Sequence, residues 1–400
     1  MENLINFKKD IQDCIFCGNC KANCPTYKET SKESISARGR VALIRHLNQS
    51  LIKPTYELNK KIFSCLLCGA CNLSCPLKID ITQSIYDARI ELKKYTHKTK
   101  LLSVATSYLF KKTEYFFYLM RFFKFMNKLS HPLFKNLQSL FNISKLVSTI
   151  PLNKTLTLSK TINPIGRVAL FPGCSTNYLV TQIGLDMIDI LNALHYDVVI
   201  PIGVVCCGAP MLSMGLRDEV KNLAERNMEI LNKLSIDTII SLCPTCVYTM
   251  DKTYQQIIGQ GINKIVDSTT FIINQWDKIK SLCGDLHTAY IKSELVYHHP
   301  CHSKNYLNIK VDDPVNILFE LGLNVTIDNN CCGFGGMFKF LEEELSLEIF
   351  KKKREAYSTK DMVITSCPNC IIQYRSGNIN SKHFIEIIKN SMIPFKSDGY

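Results

Sequence analysis

The sequence predicts a multidomain α+β protein: a mainly α-helical, cysteine-dense N-terminal domain followed by a duplicated α/β domain built on parallel sheets. Three observations predict it. Eighteen of the nineteen cysteines fall into repeated spacing signatures. The C-terminal signature occurs twice at a nearly constant offset. Short apolar runs alternate with helical stretches through the C-terminal half, which is the pattern of parallel sheets with helical crossovers. The implied boundaries are 1–92 for the helical domain, 93–165 for a basic, aromatic-rich helical linker, 166–283 for the first copy and 284–400 for the second.

In the N-terminal part, Cys14, Cys17, Cys20 and Cys24 form C-x2-C-x2-C-x3-C, closed by Pro25; Cys65, Cys68, Cys71 and Cys75 repeat the spacing, closed by Pro76. This is the bacterial ferredoxin run for a [4Fe–4S] cluster. Soft thiolates suit iron–sulfur clusters and zinc alike. Zinc sites, however, pair two C-x2-C knuckles, whereas here four cysteines and a proline recur together. In two-cluster ferredoxins the fourth cysteine of each run ligates the other cluster. That rule places Cys14, Cys17, Cys20 and Cys75 on one cluster, and Cys65, Cys68, Cys71 and Cys24 on the other. Between the runs, Val41, Ile44, Leu47 and Leu51 recur at helical spacing, and a second helix is expected over ITQSIYDARIELKK. The spacer is longer than a minimal two-cluster ferredoxin needs, which favours a helical ferredoxin-type domain over the β-hairpin kind.

The linker is set apart by charge. Residues 93–165 carry 13 basic and one acidic side chain, while 166–400 carry 22 basic and 25 acidic. The excess is local, which points to an acidic or membrane partner for one segment and not to nucleic acid. Nine aromatics lie between Tyr108 and Phe125. On a helix, Arg121, Lys124 and Lys128 share one face, and Phe116, Leu119, Phe123 and Met126 lie roughly opposite, the composition of a helix in a membrane interface. Packing against the C-terminal half or a partner is the alternative. No apolar run reaches the length of a spanning helix, and the N-terminus has no secretory h-region. Nineteen cysteines in that context suggest metal ligands in a reducing compartment. The expected location is cytoplasmic, with a peripheral position on the inner face of the cytoplasmic membrane.

The third part reads as two copies of one unit. Arg167–Phe171, Val198–Ile200 and Thr238–Ile240 are expected strands, leading to Cys174, to the pair Cys206–Cys207, and to Cys243-x2-Cys246. Leu295–Tyr297, Asn324–Ile327 and Met362–Thr365 lead likewise to Cys301, to Cys331–Cys332, and to Cys367-x2-Cys370. The offsets between copies are 127, 125, 124 and 124 residues, the mark of an internal duplication. Each cysteine group follows a strand, where parallel sheets gather their ligands. Five thiolates exceed the needs of one cubane. Gly208 and Gly333 follow the cysteine pairs, where the backbone must bend tightly. His298, His299 and His302 flank Cys301 and are expected to support or pack behind the cysteines. Gly333, Gly335 and Gly336 lack the full nucleotide-loop spacing. No GxGxxG follows a strand, so a flavin is expected on another subunit. No catalytic acid–base set is evident. Cys283 stands alone and reads as a buried small hydrophobe.

The stretches CIFCGNCKANCPTYKETSKESISARGRVALI and CLLCGACNLSCP, with Arg38-Gly39-Arg40 and Asp87-Ala88-Arg89, resemble the iron–sulfur subunit family of glycolate oxidase. GRVALFPGC, CCGAP, LCPTC, YHHPCH, CCGFGG and SCPNC continue that resemblance into the cysteine-rich CCG domains. They are equally similar to the C subunit of anaerobic glycerol-3-phosphate dehydrogenase, and heterodisulfide reductase D subunits share the order of parts. The resemblance implies two [4Fe–4S] clusters in the ferredoxin-type domain. It implies one or more further iron–sulfur clusters at the five-cysteine sets, noncubane [4Fe–4S] or, in some members, an ordinary cluster, with zinc as the alternative in one of the two CCG domains. It implies an FAD-containing dehydrogenase subunit as partner, a 2-hydroxy acid as that partner's substrate, and a quinone-reducing partner as the destination of electrons. A catalytic role in disulfide cleavage and a zinc-bound scaffold are the rival readings.

Overall fold

The computed structural model describes residues 9–95, 97–126, 138–284 and 293–393. In the N-terminal domain, helices begin where a side chain caps them. Ser36, Thr55 and Asp80 accept from the backbone N–H of Gly39, Leu58 and Gln83 at 2.9, 3.1 and 3.0 Å, opening Ala37–Asn48, Tyr56–Phe63 and Ile81–Leu92. Val41, Ile44, Ile62, Phe63, Ile85 and Leu92 are buried between them. The helix expected from Val41, Ile44, Leu47 and Leu51 stops at Asn48. Leu51 is exposed, because the chain leaves the helix through Ser50 in the left-handed region (φ 58).

Two fully buried arginines hold this domain together. Arg40 donates to the carbonyls of Lys61 (2.8 Å) and Ser64 (2.7 Å), tying the helix between the cysteine runs to the start of the second run. Arg89 donates to the carbonyls of Phe63 (3.1 Å) and Cys65 (2.6 Å), and reaches into the C-terminal half to the carbonyl of Ser213 (2.7 Å). Burial pushes its guanidinium down to about 10, so it stays charged at neutral pH.

The C-terminal half contains two sheets. β1 (Leu158–Ser159), β2 (Gly166–Phe171), β3 (Tyr196–Val199), β4 (Thr238–Ser241) and β5 (Ile265–Asp267) pair in the order β1-β3-β2-β4-β5. β6 (Leu295–His298), β7 (Val325–Asp328), β8 (Met362–Thr365) and β9 (Ser381–His383) pair in the order β7-β6-β8-β9. Every pair is parallel except β1 with β3. Setting β1 aside, both sheets place their second, first, third and fourth strands side by side in that order. The crossover direction therefore reverses between the first and third strands, which is where ligands bind in open parallel sheets. The two copies share one hydrophobic core. Lys389 on the last helix pairs with Asp189 of the first copy at 3.2 Å. Cys283 is half-buried at the junction, accepting from Ser391 Oγ at 3.1 Å.

The linker forms the helices His97–Lys111, Thr113–Met126 and Gln138–Ser144, and β1 also falls within the stretch read as linker. Its expected apolar face turns inward, as the packing alternative has it. Arg121 and Lys124 turn back to donate to the carbonyls of Thr149 (3.1 Å) and Val147 (2.8 Å). Leu119, Phe123 and Met126 are half-buried, with Phe123 against the core. The exposed apolar stripe is instead Leu101, Val104 and Tyr108 on one helix, and Tyr115, Tyr118, Phe122 and Phe125 on the next. Lys128 lies outside the described residues, as does the side chain of Phe116. Among the described residues no helix is long and apolar enough to cross a membrane.

Replacing Arg89 with Met removes a charged donor shared by several buried carbonyls, one of them in the other half of the molecule. The expected cost is about 3–5 kcal/mol, read as a lower urea midpoint in anaerobic unfolding. An unchanged midpoint would show that the clamp carries no stability.

Candidate metal centres

The eighteen cysteines of the signatures gather in three places. Cys14, Cys17, Cys20 and Cys75 line one small cavity. Cys24, Cys65, Cys68 and Cys71 line another. The fourth cysteine of each run thus stands with the first three of the other. Local backbone makes this possible in the same way twice. Phe16 (φ 53) and Leu67 (φ 56) sit inside the first C-x2-C of each run in the left-handed region, followed by Gly18 (φ 89) and Gly69 (φ 76). Successive turns of this hand point backbone N–H groups inward, forming a concave cradle for anionic sulfur. The Leu67 N–H donates to Cys65 Sγ at 3.4 Å. A Cβ on Gly69 would lie 2.6 Å from the Tyr306 ring, so the second run also needs glycine for its contact with the C-terminal half.

The third place is a single apolar cavity of about 170 Å³ between the two copies. Cys174, Cys207, Cys243 and Cys246 of the first copy line it, together with Cys301, Cys331, Cys332, Cys367 and Cys370 of the second. Cys206 is buried behind its neighbour, and its sulfur accepts from the N–H of Gly208 at 3.5 Å, as Cys331 accepts from that of Gly333 at 3.4 Å. Gly208 (φ 93) and Gly333 (φ 81) turn the backbone after each cysteine pair. Cys174 and Cys243 follow β2 and β4, and Cys301 and Cys367 follow β6 and β8, so each sheet presents its thiols where its crossover direction reverses. Cys370 and Cys332 approach sulfur to sulfur at 3.3 Å. The copies also meet directly: Cys243 and Cys367 interact across the cavity. Asn369 accepts from Ser175 Oγ at 2.6 Å and donates to Cys243 Sγ at 3.8 Å.

The ferredoxin-type domain reaches the same cavity. Cys68 is among its lining residues, and Tyr306 and Asn305 of the second copy donate to the carbonyls of Leu67 (2.9 Å) and Cys68 (2.7 Å). The thiol groups therefore form a series: the pocket with solvent-exposed Cys17, the pocket containing Cys68, the second five-cysteine set, then the first.

The electrostatics of these thiols fit metal binding. Burial, reinforced by neighbouring sulfurs, pushes Cys20 up to about 11. Burial pushes Cys68 up to about 12. Sulfur contacts and burial together hold Cys206, Cys331 and Cys370 above the ordinary thiol value. Thiolates crowded this way need a cation among them, and a bound metal deprotonates its thiols outright.

The histidines take supporting places. His298 uses both ring nitrogens, on Thr365 Oγ1 (3.1 Å) and the Asn330 carbonyl (3.0 Å), and His299 Nε2 meets the Ile309 carbonyl (3.0 Å). His302 Nδ1 lies 3.5 Å from Cys301 Sγ and its ring stacks on Tyr306. Burial pushes all three down to about 4, so they are neutral at pH 7. The contacts of Arg89, Asn369 and Tyr306 have no counterpart in the cysteine spacing that points to the site. A signal for Asn369 exists, since Cys-Pro-Asn-Cys stands where the first copy has Cys-Pro-Thr-Cys.

Residues 10–79 match the 4Fe-4S dicluster domain, and residues 168–251 and 295–375 each match the Cysteine-rich domain. One subunit of the fumarate reductase (CoM/CoB) of Methanothermobacter marburgensis is 25% identical, over 95% of this chain and 72% of the relative. The probable glycolate oxidase iron-sulfur subunit of Bacillus subtilis is 22% identical over 95% and 93%. One subunit of the anaerobic glycerol-3-phosphate dehydrogenase of Escherichia coli K12 is 26% identical over 56% and 59%.

Proposed function

We propose that the chain, which joins a 4Fe-4S dicluster domain to two Cysteine-rich domains and is similar to a glycolate oxidase iron–sulfur subunit, is the electron-transfer subunit of a flavin-linked 2-hydroxy-acid dehydrogenase. An FAD-containing partner oxidises glycolate, lactate or a related hydroxy acid, and this chain carries the electrons toward the quinone pool. The observation that supports it best is the unbroken series of thiol groups from exposed Cys17 to the cavity between the copies.

Cys14, Cys17, Cys20 and Cys75 would hold one [4Fe–4S] cluster and Cys24, Cys65, Cys68 and Cys71 the other, with a further cluster at each five-cysteine set. Clusters of this kind accept and return single electrons at potentials set by charge, hydrogen bonding and exposure. The protein's own part is positional. The left-handed turns at Phe16 and Leu67 aim N–H groups at the sulfurs, and burial keeps water from Cys68 and Cys71 while Cys17 stays exposed. Asn305 and Tyr306 fix the second ferredoxin-type group against the second five-cysteine set. The exposed aromatic stripe, flanked by Lys100, Lys111 and Lys112, suits an anionic membrane surface near the quinone. A second reading, two-electron reduction of a disulfide to two thiols, draws on one observation: nine cysteines of the two C-terminal sets face one apolar cavity that also contains His302.

Substituting Cys24 with Ser should disturb the cluster of Cys65, Cys68 and Cys71. Anaerobic EPR that lost only the signal of the Cys14, Cys17 and Cys20 cluster would refute the crossed ligation.

The function itself is tested with chain purified anaerobically alone and with its co-purifying partners. A yellow flavoprotein is expected to accompany it. Glycolate or lactate should reduce the clusters only in that flavoprotein's presence, and the complex should sediment with anionic vesicles until Phe122 and Phe125 are changed to Ser. Hydroxy-acid oxidation by the flavin-free chain would overturn the proposal; disulfide reduction by it would favour the second reading.

A further inference from the structure

The duplication permits a comparison of the two five-cysteine sets position by position, and the residues behind the sulfurs differ in charge. Seven residues after the second cysteine of each pair stands Met214 in the first copy and Lys339 in the second. Both are buried, Met214 at 0% and Lys339 at 4% exposure. The Lys339 ammonium donates to Gln373 Oε1 at 2.5 Å and lies 6.0 Å from the centre of the Phe334 ring. Gln373 follows Cys370 by three residues, at the place where the first copy has Thr249. Phe334 follows Cys332 by two. The cation is thus held between the two arms of the second set. Burial pushes it down to about 8, and the fields of Cys332 and Glu343 act in the opposite direction, so it remains charged at pH 7.

Two further positions differ between the copies in polarity, though neither histidine carries a charge at pH 7. Buried Asp267 caps the helix after the fourth strand of the first copy, where buried His383 caps it in the second. Phe171 precedes Cys174 by three residues, where His298 precedes Cys301 by three. The carboxylate near the second set, Asp328, is neutralised by an ion pair with Lys353.

Resting on the reading that each set holds an iron–sulfur cluster, we propose that the two Cysteine-rich sites are unequal electron carriers, with Lys339 holding the second site at the higher reduction potential. Reduction adds one negative charge to a cluster. In a site shielded from water, a fixed cation stabilises that charge, whereas the apolar Met214 at the matching place of the first site does not. The electron then rests at the second set, beside Cys68 and the ferredoxin-type domain. Lys339 acts as a tuning residue and not as a ligand.

EPR-monitored redox titration of the full-length, anaerobically purified chain tests this. The second-set signal is assigned by its loss in Cys370→Ser. Lys339→Met should lower the potential of that signal and leave the first-set signal in place, while Lys339→Arg, which keeps the charge, should hold it near the wild-type value. Met214→Lys should raise the potential of the first set, which decides the matter even if Lys339→Met proves unable to load its cluster. Unchanged potentials in both charge-changing variants, with wild-type iron and sulfide content, overturn the proposal. A wild-type chain whose second set holds no iron–sulfur cluster overturns the underlying reading instead, and that is visible from metal content before any titration.

Discussion

Cysteines scattered over more than three hundred residues have to meet at a few points, and the fold is organised around that convergence. A parallel sheet meets the requirement directly. Its strands all deliver their following loops to one edge, so cysteines dozens of residues apart arrive side by side without long excursions. Duplicating the sheet and turning the two edges toward each other brings the thiols of both copies to one cavity. The ferredoxin-type domain meets the same requirement with left-handed turns and short helices, because its cysteines are close in sequence and need wrapping more than gathering.

This division explains what was legible in the sequence. The six anticipated strands lie within two residues of their expected ends, because each is a short run rich in β-branched or apolar residues placed just before a cysteine group. The fourth strand of each sheet, Ile265–Asp267 and Ser381–His383, carries no cysteine and is only three residues long, too short for periodicity to announce it. Edge strand Leu158–Ser159 is shorter still and exists only by pairing with Val198 and Val199. The grouping of the cysteines followed from spacing, but the shared cavity did not, since nothing in either copy's sequence says that the two sheets face each other.

The linker shows the limit of reading a helix by its periodicity. Arg121 and Lys124 do stand at helical spacing, yet which face meets the body of the protein depends on the carbonyls of Val147 and Thr149, which lie in a separate segment. Arg89 poses the same difficulty. A lone arginine in a helical pattern reads as a solvated charge, and only the assembled structure reveals the carbonyls of Cys65 and Ser213 that account for its burial. Once the two copies are superposed in sequence, however, Met214 against Lys339 is plain, whereas Asp267 against His383 emerges only from the matching strands and helix caps. The duplication preserved the thiols and let the charges behind them diverge.

The account depends most directly on what the gathered thiols hold. Iron, zinc and acid-labile sulfide measured on the anaerobically purified full-length chain address that claim alone. Iron and sulfide in equal amounts, beyond what two cubane clusters supply, with zinc absent, is the predicted result. Iron and sulfide for the ferredoxin-type domain only, with zinc accounting for the five-cysteine sets, would contradict it and leave the C-terminal half a structural scaffold.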